Sequence, residues 1–490
     1  MRKGFLMVLA VVLVAAMAAP AMADLSTSGF VRIKGHTEQN YRTGSVTGAQ
    51  GGLFILPGAD VSTASYVEQR QRFIFDWKGE NVGARGFFEL DFANWGDSAY
   101  TAARNQGAAL EADSINLETK NFYLWFNVPN TSVKVTAGLQ NVTDSFGGMI
   151  VGYADMAGIF VTGKMEPVSY KLGWAKFQEG SSLRDDDVDF YVAEAKFAPT
   201  KDAKVGLNLY VLRDASGSTV PASAFINTNL NTLGRGHADY GFGATAFTYK
   251  PATIYWLGVD GAFQAGPAAL SGYAFYNFGK AEAIGGTFAG DNVVAGDELK
   301  VKAFAVDLRA DLTAGPGKAF IEAAYVSGSS ATDTDFKAPI VGNNYALAGS
   351  FALTSMDMQI LLNQIDDING SAALAYDVQN KGRGIIAVAA GYRMKFNDML
   401  SGKVGVGYLA DAKNAIGTNS AGVSIKKHKA TEVNANVNYA LVKGLDLGLY
   451  GAYAFLTDWE DYGAQTVTTA NMTKDADNIY KAYFRMNYAF

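Results

Sequence analysis

The sequence has 490 residues, and its composition excludes several classes of protein before any motif is considered. Glycine (54 residues) and aromatic residues (12%) are abundant, proline (10) is scarce, cysteine is absent, and charged residues make up only 18% with a net charge of −6. These values exclude collagen, disulfide scaffolds, coiled coils and disordered polar chains, and they favour many strands over helices.

The N-terminus has the pattern of a secretory signal peptide. The basic pair Arg2-Lys3 precedes an apolar run (4–19), and Ala21-Met22-Ala23 supplies the small-x-small cleavage pattern. No stop-transfer flank follows, which argues against a retained membrane helix. We therefore expect residues 1–23 to be cleaved, leaving an exported chain (24–490) with a net charge of −8. No second apolar run approaches the ~18 residues that a membrane helix needs.

The mature chain alternates apolar and polar residues with a period of two. One example is the segment 431–441, where Val433 and Val437 share one face while Glu432 and Asn434 share the other. Strict alternation over about ten residues predicts a strand with one apolar and one polar face. A soluble β-sandwich would show the same period, so a second observation has to decide.

Eighteen segments of this kind follow one another along the chain. Sixteen is the alternative count, because the hairpins 158–179 and 252–280 have the weakest pattern. In chain order the segments are 28–41, 66–79, 83–95, 115–128, 133–142, 158–165, 168–179, 188–198, 204–213, 252–264, 269–280, 300–313, 319–327, 384–397, 403–412, 429–441, 444–456 and 478–490.

Segment length and the spacing of the connections favour a membrane barrel. Most segments are longer than globular strands and fit the ~9–11 tilted residues that cross a bilayer. Aromatic residues cluster at segment ends, and short and long connections alternate, as in bacterial outer-membrane barrels. The sequence therefore predicts an all-β fold, with one transmembrane antiparallel barrel over 24–490. The longest connection, 328–383, is left open as a short helix, an extra hairpin or an infolded plug.

Residue-level motifs add a family resemblance. The last strand ends with Phe484, Tyr488 and Phe490 on one face, which looks like the assembly signal read by the barrel-insertion machinery of Gram-negative bacteria. Together with the runs 69–73 and 146–148, this ending resembles general-diffusion porins, most closely the deltaproteobacterial outer-membrane homotrimeric porins.

The resemblance implies a homotrimer in the bacterial outer membrane, in contact with lipid and lipopolysaccharide, through which small hydrophilic solutes and ions diffuse passively. It also implies that a loop after an early strand folds inward and narrows the pore. By position this constriction loop is 143–157, which contains Asp144 and Asp155.

If the apolar face meets lipid, the polar face lines a channel and parity assigns its charges. Seven basic residues then fall on one wall of four adjacent strands: Arg32, Lys34, Arg70, Arg72, Arg85, Lys481 and Arg485. We expect this basic wall to face the acidic loop and to set up a transverse field across the constriction. The alternative is that the basic residues form wall ion pairs with Glu89 and Asp91.

Other functions find little support in the residues. The chain has three histidines, His36, His237 and His428, and no nucleophile, metal or phosphate-binding motif. We therefore expect no enzyme activity, no cofactor, no metal and no nucleic-acid partner. A substrate-specific porin for anions or sugars is the nearest alternative, followed by a structural or adhesive outer-membrane protein. A sugar channel would show an aromatic slide along the lumen, and the inward tyrosines 210, 450 and 483 are too dispersed to indicate one.

Overall fold

The computed structural model describes residues 24–45, 53–96, 107–110, 117–181, 183–218, 246–288, 291–329, 333, 335–341, 353–362, 368, 373–375, 378–380, 382–413, 427–461 and 471–490. The predicted signal peptide (1–23) and His237 lie outside these residues.

Eighteen strands form the barrel, each at one of the predicted segments. They are β1 (Asp24–Gln39), β2 (Ala64–Lys78), β3 (Val82–Phe92), β4 (Leu117–Asn127), β5 (Lys134–Val142), β6 (Ala154–Met165), β7 (Val168–Gln178), β8 (Val188–Thr200), β9 (Ala203–Asp214), β10 (Ala252–Ala265), β11 (Ala268–Phe288), β12 (Glu298–Ala314), β13 (Gly317–Val326), β14 (Ile385–Lys395), β15 (Leu400–Asp411), β16 (Lys429–Val442), β17 (Leu445–Thr457) and β18 (Ile479–Ala489).

Each strand pairs antiparallel with its neighbours in sequence, and the sheet closes on itself. The closing seam joins β1 to β18 over Phe30–Gln39, while the other edge of β1 pairs with β2. Gly29 and Phe490 extend the seam by two backbone hydrogen bonds of 3.1 Å. The count of eighteen is confirmed and the alternative of sixteen is wrong, since both weak hairpins are present as β6–β7 and β10–β11.

The two faces of the sheet differ as the alternation predicts. On β16, Val433 and Val437 are 44% and 45% exposed, whereas Glu432, the neighbour of Val433 on the opposite face, is fully buried. On β1, Arg32, Lys34 and the alternate residues beyond them are buried. On these two strands the charged groups lie inside the barrel and the apolar groups outside, the reverse of a soluble domain.

Short elements complete the described part of the chain. Small strands lie in the long connections, as in the hairpin of Tyr41–Ser45 with Leu53–Pro57. Within the described residues, the helical elements are two single 3₁₀ turns, Ser216–Ser218 and Thr354–Met356. Among the described residues, no helix has the length and apolar character required to traverse a bilayer.

Candidate functional site

The seven predicted basic residues lie on four strands that are adjacent around the seam. Arg32 on β1 is in register with Arg70 on β2, and Lys34 is in register with Arg485 on β18. Arg72 follows on β2, Arg85 on β3 and Lys481 on β18. The alternation of apolar and polar residues along each strand therefore predicted that these side chains lie on one wall of the lumen.

Three of the arginines are held by carboxylates of the same wall. Arg70 donates two hydrogen bonds to Asp91, at 2.7 and 2.6 Å, and its Nε lies 3.4 Å from Glu89. Arg72 donates to Glu89. These contacts match the alternative hypothesis of wall ion pairs. Charge-assisted bidentate pairs of this kind fix side-chain geometry as well as charge.

Arg85 is also held by a carboxylate, that of Asp76, which was not among the predicted wall acids. Its guanidinium donates two bonds to Asp76, at 2.7 and 2.8 Å. The two residues are in register on β3 and β2.

The other basic residues of the wall contact aromatic rings. Lys34 lies 5.0 Å from the ring of Tyr483, and Lys481 lies 5.9 Å from the same ring. Arg485 lies 5.2 Å from the ring of Tyr450, and Arg32 stands over Phe30 at the same distance. These are cation–π geometries.

A row of rings crosses the seam, which sequence reasoning missed. Tyr450 stacks on Tyr483 at 4.4 Å, Tyr483 lies 5.2 Å from His36, and His36 stacks on Tyr66 at 4.7 Å. The four residues come from β17, β18, β1 and β2. Tyr450 and Tyr483 are therefore neighbours, contrary to the expectation that the inward tyrosines are dispersed. Only cross-strand register, which one sequence does not reveal, brings these rings together.

Asp144 does not face the basic wall. Its carboxylate accepts backbone N–H bonds from Phe146, Gly148, Ile150 and Val151, at 2.7, 3.2, 2.7 and 2.7 Å. Burial raises the pKa of Asp144 to about 6, although the four N–H groups oppose the shift. Asp144 is thus enclosed by its own loop, so it does not contribute to the transverse field that was expected between the loop acids and the basic wall.

The loop 143–153 itself lies inside the barrel. Phe146 is fully buried and contacts the rings of Tyr210 on β9 and Phe275 on β11, at 5.5 and 5.0 Å. The Ser145 N–H donates to the hydroxyl of Tyr210, at 2.8 Å. Because β10 is diametrically opposite β1 in a ring of eighteen strands, the loop packs on the wall opposite the seam.

Asp155, predicted as a loop acid, lies instead on β6. Its carboxylate forms an ion pair with Lys120 at 2.9 Å and accepts bonds from Asn121 and Asn141. The loop ends earlier than predicted because strand pairing with β5 already begins at Ala154.

A second segment, residues 353–362, also lies in the lumen, and we call it the strap. Three successive N–H groups, of Gln359, Ile360 and Leu361, donate to the Glu432 carboxylate at 2.6, 2.8 and 3.0 Å. Asn434 adds a fourth bond to Glu432, at 2.8 Å. A buried wall carboxylate thus holds the backbone of the strap.

Side chains around the wall fasten the rest of the strap. Asp357 pairs with Arg393 at 2.7 Å and with Lys403 at 3.2 Å. Arg309 donates to the carbonyl of Ser355 at 2.9 Å. These partners lie on β12, β14 and β15, so the strap packs along the wall between the seam and β12.

Another part of the long connection is anchored on β10 and β11. Trp256 donates its indole N–H to the Ile340 carbonyl at 3.1 Å, and the Ile340 N–H donates to Asn277 at 2.9 Å. Of the three possibilities left open for 328–383, its described residues therefore take the infolded arrangement, with one 3₁₀ turn.

The predicted assembly-signal residues face outward, two of them on β18 and Phe490 directly after it. Phe484, Tyr488 and Phe490 are 41%, 47% and 48% exposed. They meet the surroundings of the barrel rather than its lumen.

Comparisons with known proteins agree with this architecture. No family model matches the chain, and no curated protein sequence matches it. Solved structures of outer-membrane porins are similar to it. OpdL of Pseudomonas aeruginosa is 12% identical, with 95% of this chain and 99% of that chain covered and a TM-score of 0.50.

Two further structures give the same result. OccAB4 of Acinetobacter baumannii is 11% identical, with 96% of this chain and 100% of that chain covered and a TM-score of 0.50. OccK8 (OprE) of Pseudomonas aeruginosa is 12% identical, with 95% and 98% covered and a TM-score of 0.50. At this identity the shared feature is the closed barrel fold.

Proposed function

We propose that this chain is a porin of the bacterial outer membrane, a water-filled channel for passive diffusion of small hydrophilic solutes and ions. The observation that carries the proposal is the inverted barrel: ionised side chains line the inside while large apolar residues are exposed outside. Such a surface is stable only in lipid, and eighteen strands enclose a lumen too wide for wall side chains to fill.

Conductance across a planar lipid bilayer tests this function directly. We expect the purified full chain to insert and to produce discrete, ohmic current steps in KCl. A protein that inserts and resists heat as a folded barrel but never conducts would contradict the porin and favour the structural or adhesive alternative.

Finer features of the protein are part of the same proposal. The resemblance to deltaproteobacterial porins supports a homotrimer, and the sequence supports a cleaved signal peptide (1–23), contact with lipopolysaccharide and insertion by the barrel-assembly machinery. Native-gel mass before and after heating tests the trimer. A folded species of monomer mass before heating would contradict it.

A second candidate, a channel that prefers anions, is favoured by one feature of the lumen charges. In the sector β2–β8, the cation of several ion pairs is more exposed than its acid. Arg72 is 29% exposed against 3% for Glu89, and Lys171 is 23% exposed against 8% for Glu194. Arg85 is 35% exposed. A permeating ion therefore meets the cationic heads first, with the acids behind them.

Reversal potentials in a KCl gradient test this preference. We expect chloride to be favoured, and we expect Arg72→Gln to shift the reversal potential towards potassium, because Glu89 then loses one of its cationic neighbours. Lys176→Gln is the matched control, since Lys176 pairs with Glu179 and Asp187 in the connection after β7. Equal reversal potentials for wild type and Arg72→Gln would contradict the preference while leaving the porin intact.

A further inference from the structure

Two acidic side chains meet on the wall between the loop 143–153 and the strap. Asp307 on β12 and Glu322 on β13 are inward and only 5% and 2% exposed. Asp307 is in register with Ala324, two residues from Glu322, so the two carboxyl groups are diagonal neighbours on the inner face. Two ionised carboxylates at such close range repel each other unless a cation or a proton lies between them.

The protein supplies too little positive charge at this point. Arg309 donates to Glu322 at 2.6 Å, but the same guanidinium also donates to Asp311 at 2.6 and 2.7 Å. One cation is thus shared by two acids. The Oδ2 atom of Asp307 is buried and has no hydrogen-bond donor among the described residues. An unsatisfied buried carboxylate oxygen is costly and needs a partner.

Hydroxyl-bearing residues lie next to the pair. The Ser355 hydroxyl of the strap bonds to Glu322. Tyr273 on β11 is in register with Asp307. Its ring also lies 6.1 Å from Phe146 of the loop 143–153. The site therefore offers carboxylate and hydroxyl oxygens where both infolded segments reach the wall.

We propose that Asp307 and Glu322 bind a divalent metal cation that enters from the lumen. The oxygen ligands of the site indicate that this cation is Ca²⁺. Hard cations of this kind prefer carboxylate and hydroxyl oxygens and complete their shell with water. The described residues contain no group of three or more His, Cys, Asp or Glu side chains placed to hold a metal. With two carboxylates the affinity is expected to be modest, with a dissociation constant of about 10⁻⁴–10⁻³ M. The bound ion fastens the strap and the loop to the same wall.

Terbium luminescence on the purified full chain is the direct test. Tb³⁺ takes the place of Ca²⁺, and a tyrosine beside the ion sensitises its emission. We expect saturable emission that Ca²⁺ displaces and that falls in Tyr273→Phe, although that variant still binds Ca²⁺ in calorimetry. Asp307→Asn and Glu322→Gln are each expected to weaken Ca²⁺ binding by at least about tenfold.

Glu194→Gln is the matched control, because Glu194 is a buried wall acid with its own partners, Lys171 and Tyr210. It is expected to bind as wild type does. A second readout needs no variant: Ca²⁺ is expected to raise the unfolding temperature of the wild type in detergent, and chelation to reverse this.

Two outcomes would overturn the proposal. One is emission that is the same in wild type, Asp307→Asn and Glu322→Gln, which means adventitious binding elsewhere. The other is no saturable Tb³⁺ or Ca²⁺ binding by the wild type at all, which leaves a shared proton as the way in which Asp307 and Glu322 coexist. Neither outcome bears on conductance, so the porin function stands or fails separately.

Discussion

Replacing Glu432 by glutamine is expected to release the strap from the barrel wall. The Glu432 carboxylate accepts three strap N–H groups with its two oxygens, and Ile360 and Leu361 share Oε2. Glutamine keeps one acceptor oxygen and turns a donor NH₂ group towards the remaining N–H groups. Each lost bond to a charged acceptor, or each N–H left buried without one, costs about 1–3 kcal/mol. For Ile360 and Leu361 together, the attached state is destabilised by about 2–6 kcal/mol.

The absence of cysteine from the sequence provides a clean assay. Leu361→Cys puts a thiol at a fully buried strap position, and a water-soluble maleimide then reports how often the strap opens. We expect Glu432→Gln to accelerate labelling by at least about 30-fold, since 1.4 kcal/mol corresponds to a factor of ten. Open-channel conductance is expected to rise as well.

The control for this experiment is Glu194→Gln, which neutralises a buried wall acid without a bond to the strap and is expected to leave labelling of Leu361→Cys unchanged. Equal labelling rates with and without Glu432→Gln would refute the reasoning, because they would show that the three N–H bonds do not hold the strap in place.

Two further predictions concern the loop 143–153, with Met149→Cys as the reporter. Asp144 has a raised pKa, about 6, only while the loop is folded inward. Protonation of Asp144 therefore stabilises the infolded loop: the stabilisation is complete below the ordinary pKa of 3.8 and is lost as the pH rises through about 6. Labelling, normalised to an exposed thiol, is therefore expected to be about tenfold slower at pH 5 than at pH 7.5, and a pH-independent rate would contradict this. Tyr210→Phe removes the acceptor of the Ser145 N–H and is expected to cost about 1–2 kcal/mol, seen as about tenfold faster labelling. An unchanged rate would show that this bond contributes nothing to holding the loop.

The barrel was predictable because its physics is local to each strand. Alternation assigns every residue to one of two faces, so Arg32, Arg70 and Arg72 could be placed inside the barrel from their own strands alone. Strand order follows chain order in an up-and-down barrel, so residues of the first and last strands could also be placed on one wall. Only strand ends moved, as at β6, where Asp155 belongs to the strand.

The site was less predictable because its details depend on register and on infolded backbone. Stacking of Tyr450 on Tyr483 requires two strands to pair in one register among several. Glu432 was placed on the polar face by parity and Asp144 in the constriction loop by the family resemblance, yet both bind backbone N–H groups of infolded segments. Irregular backbone inside a barrel needs hydrogen-bond acceptors for its N–H groups. An inward acid can therefore either face the permeating solutes or accept bonds from infolded backbone, and the sequence pattern alone does not distinguish these two roles.

Replacing Phe490 allows its contribution to the stability of the barrel to be separated from its role in assembly in cells. The backbone of Phe490 closes the seam with two bonds to Gly29, and these survive in Phe490→Ala. Its ring is half exposed, so truncation is expected to cost only about 1 kcal/mol and to leave refolding in detergent near wild type. If the ring is an assembly signal, as its sequence context predicts, the assembled fraction in cells falls several-fold in spite of that small cost. Phe263→Ala, another half-exposed outward ring, is the control and is expected to assemble normally. Equal losses in detergent and in cells would assign the ring a purely structural role, and no loss in cells would remove it from the signal.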